Sequence, residues 1–315
     1  MALTNPNTPI SEQDLQDFYY KILPYLGTNE MPAADMSEVI SPLPVISGNV
    51  TIKKDANNIL WVGNQPILAL ANINVYVNPQ TGVDDYEGGY GFSAEKPFAS
   101  ISYAMNYMPK LTAPDMNGNG YAKSIFLHLY GTFTSTNFKQ YSFEFPSIRF
   151  YCVIENNVVF NNITLQFFNC KYAVLRLNGS LTINITDTSL TSSVRALSVT
   201  QSTFVIDSSN ATAQSPKSMV ITGNSTVRNY IRGIECSTSI VCNSAPNTSI
   251  EANYCDMVVN GVNASNVYIG TLRGANNSTV LSATSGTVLG FGANSATGTT
   301  VQKTSSGGRI YTGQQ

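Results

Sequence analysis

Apolar residues recur at an interval of 23 along the middle of the chain, at Val158, Leu181, Phe204, Val227 and Ile250. Two residues beyond each stand Phe160, Ile183, Ile206, Asn229 and Ala252, and between them lie Val159, Thr182, Val205, Arg228 and Glu251. An inward, outward, inward alternation on one fixed beat is the pattern of a strand laid once on every turn of a coiled chain. Strand side chains alternate faces, and a repeated turn stacks like upon like. A second apolar series, Leu175, Leu197, Val220 and Ile240 or Val241, keeps nearly the same interval and supplies another side. Polar corners such as Asn178-Gly179-Ser180 and Gly223-Asn224-Ser225 complete the turn. A turn of 23 residues has room for three short strands around one core, so the expected fold class is all-β, a parallel β-helix. In this register Asn229 faces inward, where its amide needs hydrogen-bond partners, and Arg228 faces out.

Composition agrees with stacked strands and polar turns. Only 11% of the 315 residues are charged, against about 25% in an average domain. Net charge is −2 and the Lys and Arg residues are scattered, which excludes the basic footprint of a nucleic-acid binder. No apolar run approaches the roughly 18 residues of a membrane span, so membrane insertion is not expected. The start, Met1-Ala2-Leu3-Thr4-Asn5-Pro6, lacks the basic and apolar regions of a cleaved export signal. Five cysteines (Cys152, Cys170, Cys236, Cys242, Cys255) without metal-type spacing are expected to be reduced, buried small residues. Sequons such as Asn162-Ile163-Thr164 are the chance product of an Asn- and Thr-rich chain.

Four segments divide the chain: 1–30, 31–75, 76–260 and 261–315. In the first, Ser11 caps a short helix whose Leu15, Phe18, Tyr19, Ile22 and Leu23 make one apolar face before Pro24 and Gly27 end it. So short a helix is marginal alone in water, and the stripe packs either on its own chain or on copies of itself. The second reading makes Leu15, Phe18 and Ile22 trimerisation residues. The second segment begins as a Pro-containing connector, and Val50-Thr51-Ile52, Ile59-Leu60-Trp61-Val62 and Ile67-Leu68-Ala69-Leu70 then predict short strands. In the last segment the beat shortens at Val267, Val280, Val288 and Val301, as in a tapering coil that intertwines with neighbouring chains. Residues 305–311 read as a loose tail or a small cap.

Tyr76-Val77-Asn78-Pro79-Gln80-Thr81-Gly82-Val83-Asp84-Asp85 leads through a Gly-rich loop to Lys96-Pro97-Phe98-Ala99-Ser100-Ile101. A helix follows, capped by Ser100, with Ile101, Ala104, Met105 and Met108 as its apolar stripe. This stretch resembles the opening of pectate-lyase-like proteins, in which a strand, a Gly/Asp loop and a "P-F-x-T-I-x-x-A" helix close one end of a right-handed parallel β-helix. Ser100 stands where Thr is commoner, and Asp85-Tyr86-Glu87-Gly88 replaces a tighter turn. With the N-terminal helix, the connector and the Gly/Ser/Thr-rich end, the whole resembles phage and prophage tail fibres and tailspikes. That resemblance implies a homotrimeric virion protein made in the bacterial cytoplasm. It would attach by its N-terminus to a tail or baseplate protein and contact a bacterial surface glycan or protein. A tailspike depolymerase and a bacterial β-helix adhesin are the alternatives.

Catalytic residues are not evident. Glycoside hydrolysis needs two carboxylates about 5 to 9.5 Å apart. On the 23-residue beat Asp187 and Asp256 share a phase but stand three turns apart, roughly 14 Å, while Asp207 and Glu235 lack partners. Arg228 and Glu251 share a phase on adjacent turns, as an exposed ion pair or a substrate clamp. Asp84, Asp85 and Glu87 form the densest acidic run and offer oxygen ligands for a cation, although acidic Gly-rich loops are mostly solvated turns. His128, the only histidine, lies in Ser124-Ile125-Phe126-Leu127-His128-Leu129-Tyr130 opposite the face of Ile125, Leu127 and Leu129. A catalytic role would need a nucleophile or carboxylate partner that the sequence does not identify, so a packed or surface imidazole is expected, and no cofactor. Tyr230, Tyr254 and Tyr268 are the candidate ligand-binding residues, whose rings could stack on sugars.

Overall fold

The computed structural model describes residues 30–32, 49–112, 123–190 and 194–207, and beyond them residues 307–308 and the strands named below. Leu15, Phe18, Ile22, Val227, Arg228, Asn229, Tyr230 and Tyr254, and with them the trimerisation stripe and two of the three candidate ligand-binding tyrosines, lie outside the described residues.

A five-stranded sheet comes first, in the order β1 (Glu30–Pro32), β2 (Asn49–Lys54), β3 (Ile59–Val62), β4 (Gln65–Ala69) and β6 (Leu111–Thr112). Its first four strands pair antiparallel, and β6 joins β4 in parallel. The three strands expected at residues 50–70 are therefore present. Asp55 makes the turn between β2 and β3: its carboxylate accepts the amides of Asn57 and Ile59 and the indole N–H of Trp61. Asn58 takes the left-handed conformation the turn requires, φ 61°.

A nine-stranded sheet is parallel throughout. It runs β5 (Ile73–Val77), β7 (Ser124–Leu129), β9 (Arg149–Ile154), β11 (Tyr172–Leu177), β14 (Thr203–Asp207), β17 (Ser239–Asn243), β20 (Asn266–Ile269), β23 (Thr287–Gly290) and β25 (Arg309–Thr312). An eleven-stranded sheet, also parallel, is centred on the long strand β10 (Asn157–Phe168), against which β8 (Thr132–Phe143) lies. The first half of β10 leads into one arm, β12 (Ser180–Ile185), β15 (Ser218–Gly223), β18 (Ser249–Asn253) and β21 (Leu272–Arg273). Its second half leads into the other, β13 (Val194–Thr200), β16 (Ile231–Cys236), β19 (Asp256–Val262), β22 (Asn277–Thr284) and β24 (Gly298–Ser305). From β11 to β22 the chain visits the nine-stranded sheet, the first arm and the second arm in unbroken rotation.

Asn162 is where β10 turns from one arm to the other. Its φ is 58°, and Ser135, Thr136, Asn137 and Phe138 of β8 stand against it alone. Its Oδ1 accepts Thr186 N (2.7 Å), Thr186 Oγ1 (3.2 Å) and Asp187 N (3.0 Å), and its Nδ2 donates to the Ser135 carbonyl (3.2 Å). Asp187 in turn accepts Phe138 N. Beside this corner Asn184 donates to Asn161, and Asn161 to Thr134, as a ladder across three strands.

Phe143, Phe150, Phe160, Phe167 and Phe204 fill the interior with no exposed surface. Their rings meet in series, Phe143–Phe150 at 4.9 Å and Phe167–Phe204 at 4.7 Å. Each buried ring contributes about 1.5–3 kcal/mol. Helix α1 (Ile101–Met105) packs Ile101 and Ala104 against the same cluster, with Met108 just past its end and Met105 half-buried. Ser100 caps it, accepting Tyr103 N, and Asp84 braces the cap by accepting the amides of Ala99 and Ser100 and the Ser100 hydroxyl.

The constant 23-residue beat does not hold. Val158 pairs with Leu181 as expected, but Leu181 then meets Met219, 38 residues on, and Met219 meets Ile250, 31 residues on. Phe204 belongs to the nine-stranded sheet, between Ala173 and Ile240. The second series is likewise split: Leu175 and Ile240 are in the nine-stranded sheet, Val220 in one arm and Leu197 in the other. Glu251 lies between Val220 and Arg273 in register. Segments joining the strands differ in length, and every insertion resets the count without disturbing the strands. Parallel pairing also runs past residue 260 to Thr312, and residues 309–312 form strand β25 beside β23 instead of a loose tail. Among the described residues no helix is long and apolar enough to cross a membrane.

Candidate functional site

Along β7, Ile125, Leu127 and Leu129 are fully buried, which turns Phe126 and His128 to the outer face of the nine-stranded sheet, as the alternation requires. Parallel pairing then lines up outward side chains from strands far apart in sequence. One column reads Asn74, Phe126, Tyr151, Val174, Val205, and the next reads Tyr76, His128, Val153, Arg176, Asp207. At about 4.8 Å between strands, flat side chains in one column stack face to face. Tyr76 lies on His128 at 4.6 Å and 12°, and Phe126 on Tyr151 at 4.6 Å and 19°. The Arg176 guanidinium covers the far face of this second pair, 5.0 Å from the Tyr151 centroid, and Arg149 stands 5.6 Å from that of Tyr172.

His128 has the carboxylate partner that the sequence did not reveal. Its Nδ1 is 2.9 Å from Glu155 Oε1 and its Nε2 is 3.1 Å from Asn74 Oδ1. Asn178 adds two bonds from its Nδ2 to Glu155, at 3.1 and 3.2 Å. These partners, the His128 bond first, hold the Glu155 carboxyl below its ordinary range against the opposing effect of burial. Nδ1–H donates to the Glu155 carboxylate, which fixes the ring with its Nε2 toward Asn74. Burial, then the negative charges of Glu155 and Glu95, push the Tyr76 phenol up, and burial and Glu155 do the same to Tyr130. Asp207, expected to lack a partner, accepts Arg176 Nε at 3.0 Å.

The strip therefore offers little ring face to a ligand. Its stacked faces are taken by neighbouring strands, and ring edges and polar tips are what point outward: phenol hydroxyls, the imidazole Nε2 edge, amides, guanidinium and carboxylate. Of the tyrosines expected to bind ligand, Tyr268 stands between Val241 and Leu289 in register, in continuation of the Phe126–Tyr151 column.

The acidic loop is occupied with its own backbone. Asp84 braces the α1 cap, Asp85 accepts Gly88 N, and Glu87 is exposed. Among the described residues no group of three or more His, Cys, Asp or Glu gathers in a way that could hold a metal ion. A cleft of about 320 Å³ lies between the β3–β4 turn and α1, lined by Asn64, Gln65, Pro66, Tyr107, Met108 and Lys110 among others. The Lys110 ammonium is tucked 4.3 Å from the Phe145 ring centroid and donates to the Glu144 carbonyl, and burial lowers its pKa.

The outward strip could have been sought in the sequence only by knowing which residues are lateral neighbours. His128 and Glu155 are 27 residues apart and Arg176 and Asp207 are 31 apart, on parallel strands joined by segments of unequal length. Compared with protein-family models, curated proteins and solved structures, the chain matches none.

Proposed function

We propose that the chain is a right-handed parallel β-helix serving as a homotrimeric phage tail fibre that contacts the bacterial surface through the outer face of its nine-stranded sheet. The rotation of the chain through one sheet and two arms, parallel at every step, supports the β-helix, and the right hand follows from the rule for parallel crossovers. Support for surface contact comes from the strip itself, where Asn74, Tyr76, His128, Glu155, Asn178, Arg176 and Asp207 present a row of hydrogen-bonding tips on a rigid scaffold. The N-terminal segment attaches the fibre to a tail or baseplate protein, and trivalent display turns a weak single site into useful avidity.

Two measurements test this reading. Light scattering on purified protein gives a trimer of the 34.0 kDa chain; a monomer at micromolar concentration ends the fibre proposal. Fluorescent protein labels host cells, and enzymatic stripping of surface polysaccharide abolishes the labelling. Labelling that survives both this and protease treatment removes the surface-contact reading.

A tailspike depolymerase is the second reading, favoured by the Glu155-oriented His128 beside Tyr76 and Tyr130. Against it, Glu155 is held ionised and so is a poor proton donor. New reducing ends or unsaturated uronate appearing in host polysaccharide would establish it.

A further inference from the structure

We infer that the ligand of this strip is an uncharged, hydroxyl-rich glycan and not an acidic one, an inference that rests on the surface-contact reading above. Charge pairing carries it. Glu155 is answered by His128 and by two bonds from Asn178, and Arg176 by Asp207 on one side and the Tyr151 ring on the other. Arg149 stands over Tyr172. An incoming carboxylate would have to displace Asp207 from Arg176, and it would then lie beside Asp207 and in the field of Glu155. In these two columns Arg176 and His128 each already face a carboxylate, so an added negative charge meets Asp207 and Glu155, and the opposition grows as water is excluded.

A sugar hydroxyl meets the opposite situation. It donates and accepts at once, so one O–H can give its proton to a paired carboxylate while its oxygen takes an N–H from the paired guanidinium. Arg176 commits Nε to Asp207, and its terminal N–H groups remain for such oxygens. Bonds of this kind, with one partner ionised, are stronger than neutral ones. Because the ring faces are already stacked on each other, an aromatic or purely apolar ligand gains little here. The Asn74, Tyr76 and Asn178 tips extend the same hydroxyl-reading edge across adjacent strands.

Titration calorimetry on the full-length protein tests this with two sets of probes. One set is oligosaccharides of glucose, mannose, galactose and N-acetylglucosamine; the other is oligomers of galacturonate and of sialic acid. A neutral oligosaccharide binds about tenfold tighter than any acidic one, or better. In Asp207→Asn the guanidinium loses its counter-charge, so neutral binding falls about tenfold and galacturonate binding rises above that of the unaltered protein. The double variant Arg176→Gln with Asp207→Asn removes both charges, so it too weakens neutral binding, and it gains nothing toward galacturonate. It serves equally if the single variant fails to fold. A preference of the unaltered protein for an acidic oligomer overturns this inference alone, as does neutral binding that neither variant alters from the pattern of a remote site. Binding to neither set overturns it together with the reading of the strip as a glycan contact.

Discussion

Replacing Asn162 tests how the corner between the two arms is held. Alanine there meets two costs. The backbone sits at φ 58°, where an ordinary L-residue is strained by about 1–2 kcal/mol and asparagine by less. The side chain also satisfies the amides of Thr186 and Asp187 and the Ser135 carbonyl, at a position only 8% exposed. Each buried partner left without a bond costs about 1–3 kcal/mol, reduced where water can enter the vacated space. Asn162→Ala should therefore destabilise by about 3–5 kcal/mol, which lowers Tm by roughly 6–15 °C in a chain of this size. Asn162→Gly relieves the backbone strain and recovers about 1 kcal/mol of that loss. Asn162→Asp retains the acceptor for both amides and loses only the donor to Ser135, so it is the mildest of the three despite the nearby Asp187. Urea melts followed by circular dichroism rank the variants. If alanine falls within about 0.5 kcal/mol of the unaltered protein, the corner is not held by this amide, and if glycine is worse than alanine, the conformational part of the reasoning fails.

Gly179→Ala places a methyl group on the Asn156 carbonyl, to which Ser180 N also donates, and should cost about 3 kcal/mol or more in the same melts. Asp55→Ala removes the acceptor for Asn57 N, Ile59 N, Trp61 Nε1 and the Tyr86 hydroxyl and should cost about 2–4 kcal/mol. Tyr86, whose phenol is pushed up first by burial and then by that bond, should ionise at lower pH in the variant, as read by ultraviolet titration. Glu155 has a lowered folded pKa, so its stabilisation is fully present above its unfolded value of about 4.3 and is lost as pH falls through the lower folded value. The stability difference between the unaltered protein and Glu155→Gln should be flat above about pH 5 and shrink from there toward about pH 3, and a difference that grows on acidification refutes the sign. Thr164 Oγ1 is buried with no partner among the described residues, so Thr164→Val should raise stability by about 1 kcal/mol, and a loss of that size would show a bond to this hydroxyl.

Much of the local structure was legible in residue order because it is governed by neighbours in the chain. The β3 and β4 strands, the Ser100 cap of α1 with Ile101, Ala104 and Met108 facing the core, and the alternation about Val158 and Leu181 all follow from short-range patterns. His128 was correctly placed on the outer side of β7 for the same reason.

What residue order did not determine was which strands become neighbours. Pairing depends on the lengths of the segments between strands, and those are free to vary because they lie outside the ladder and closing a longer loop costs little. Phe204 lies beside Ala173 and not beside Leu181, and it still presents a fully buried apolar face. The site suffers most from this. Glu155 beneath His128 and Asp207 beside Arg176 are consequences of lateral register, so the charges that looked solitary along the chain are paired only where the strands lie side by side. Composition and alternation were enough to indicate β layers with polar corners, since a strand that alternates apolar and polar residues has one face to bury. The identity of the outward columns, and with it any surface chemistry, exists only once the parallel strands are paired side by side.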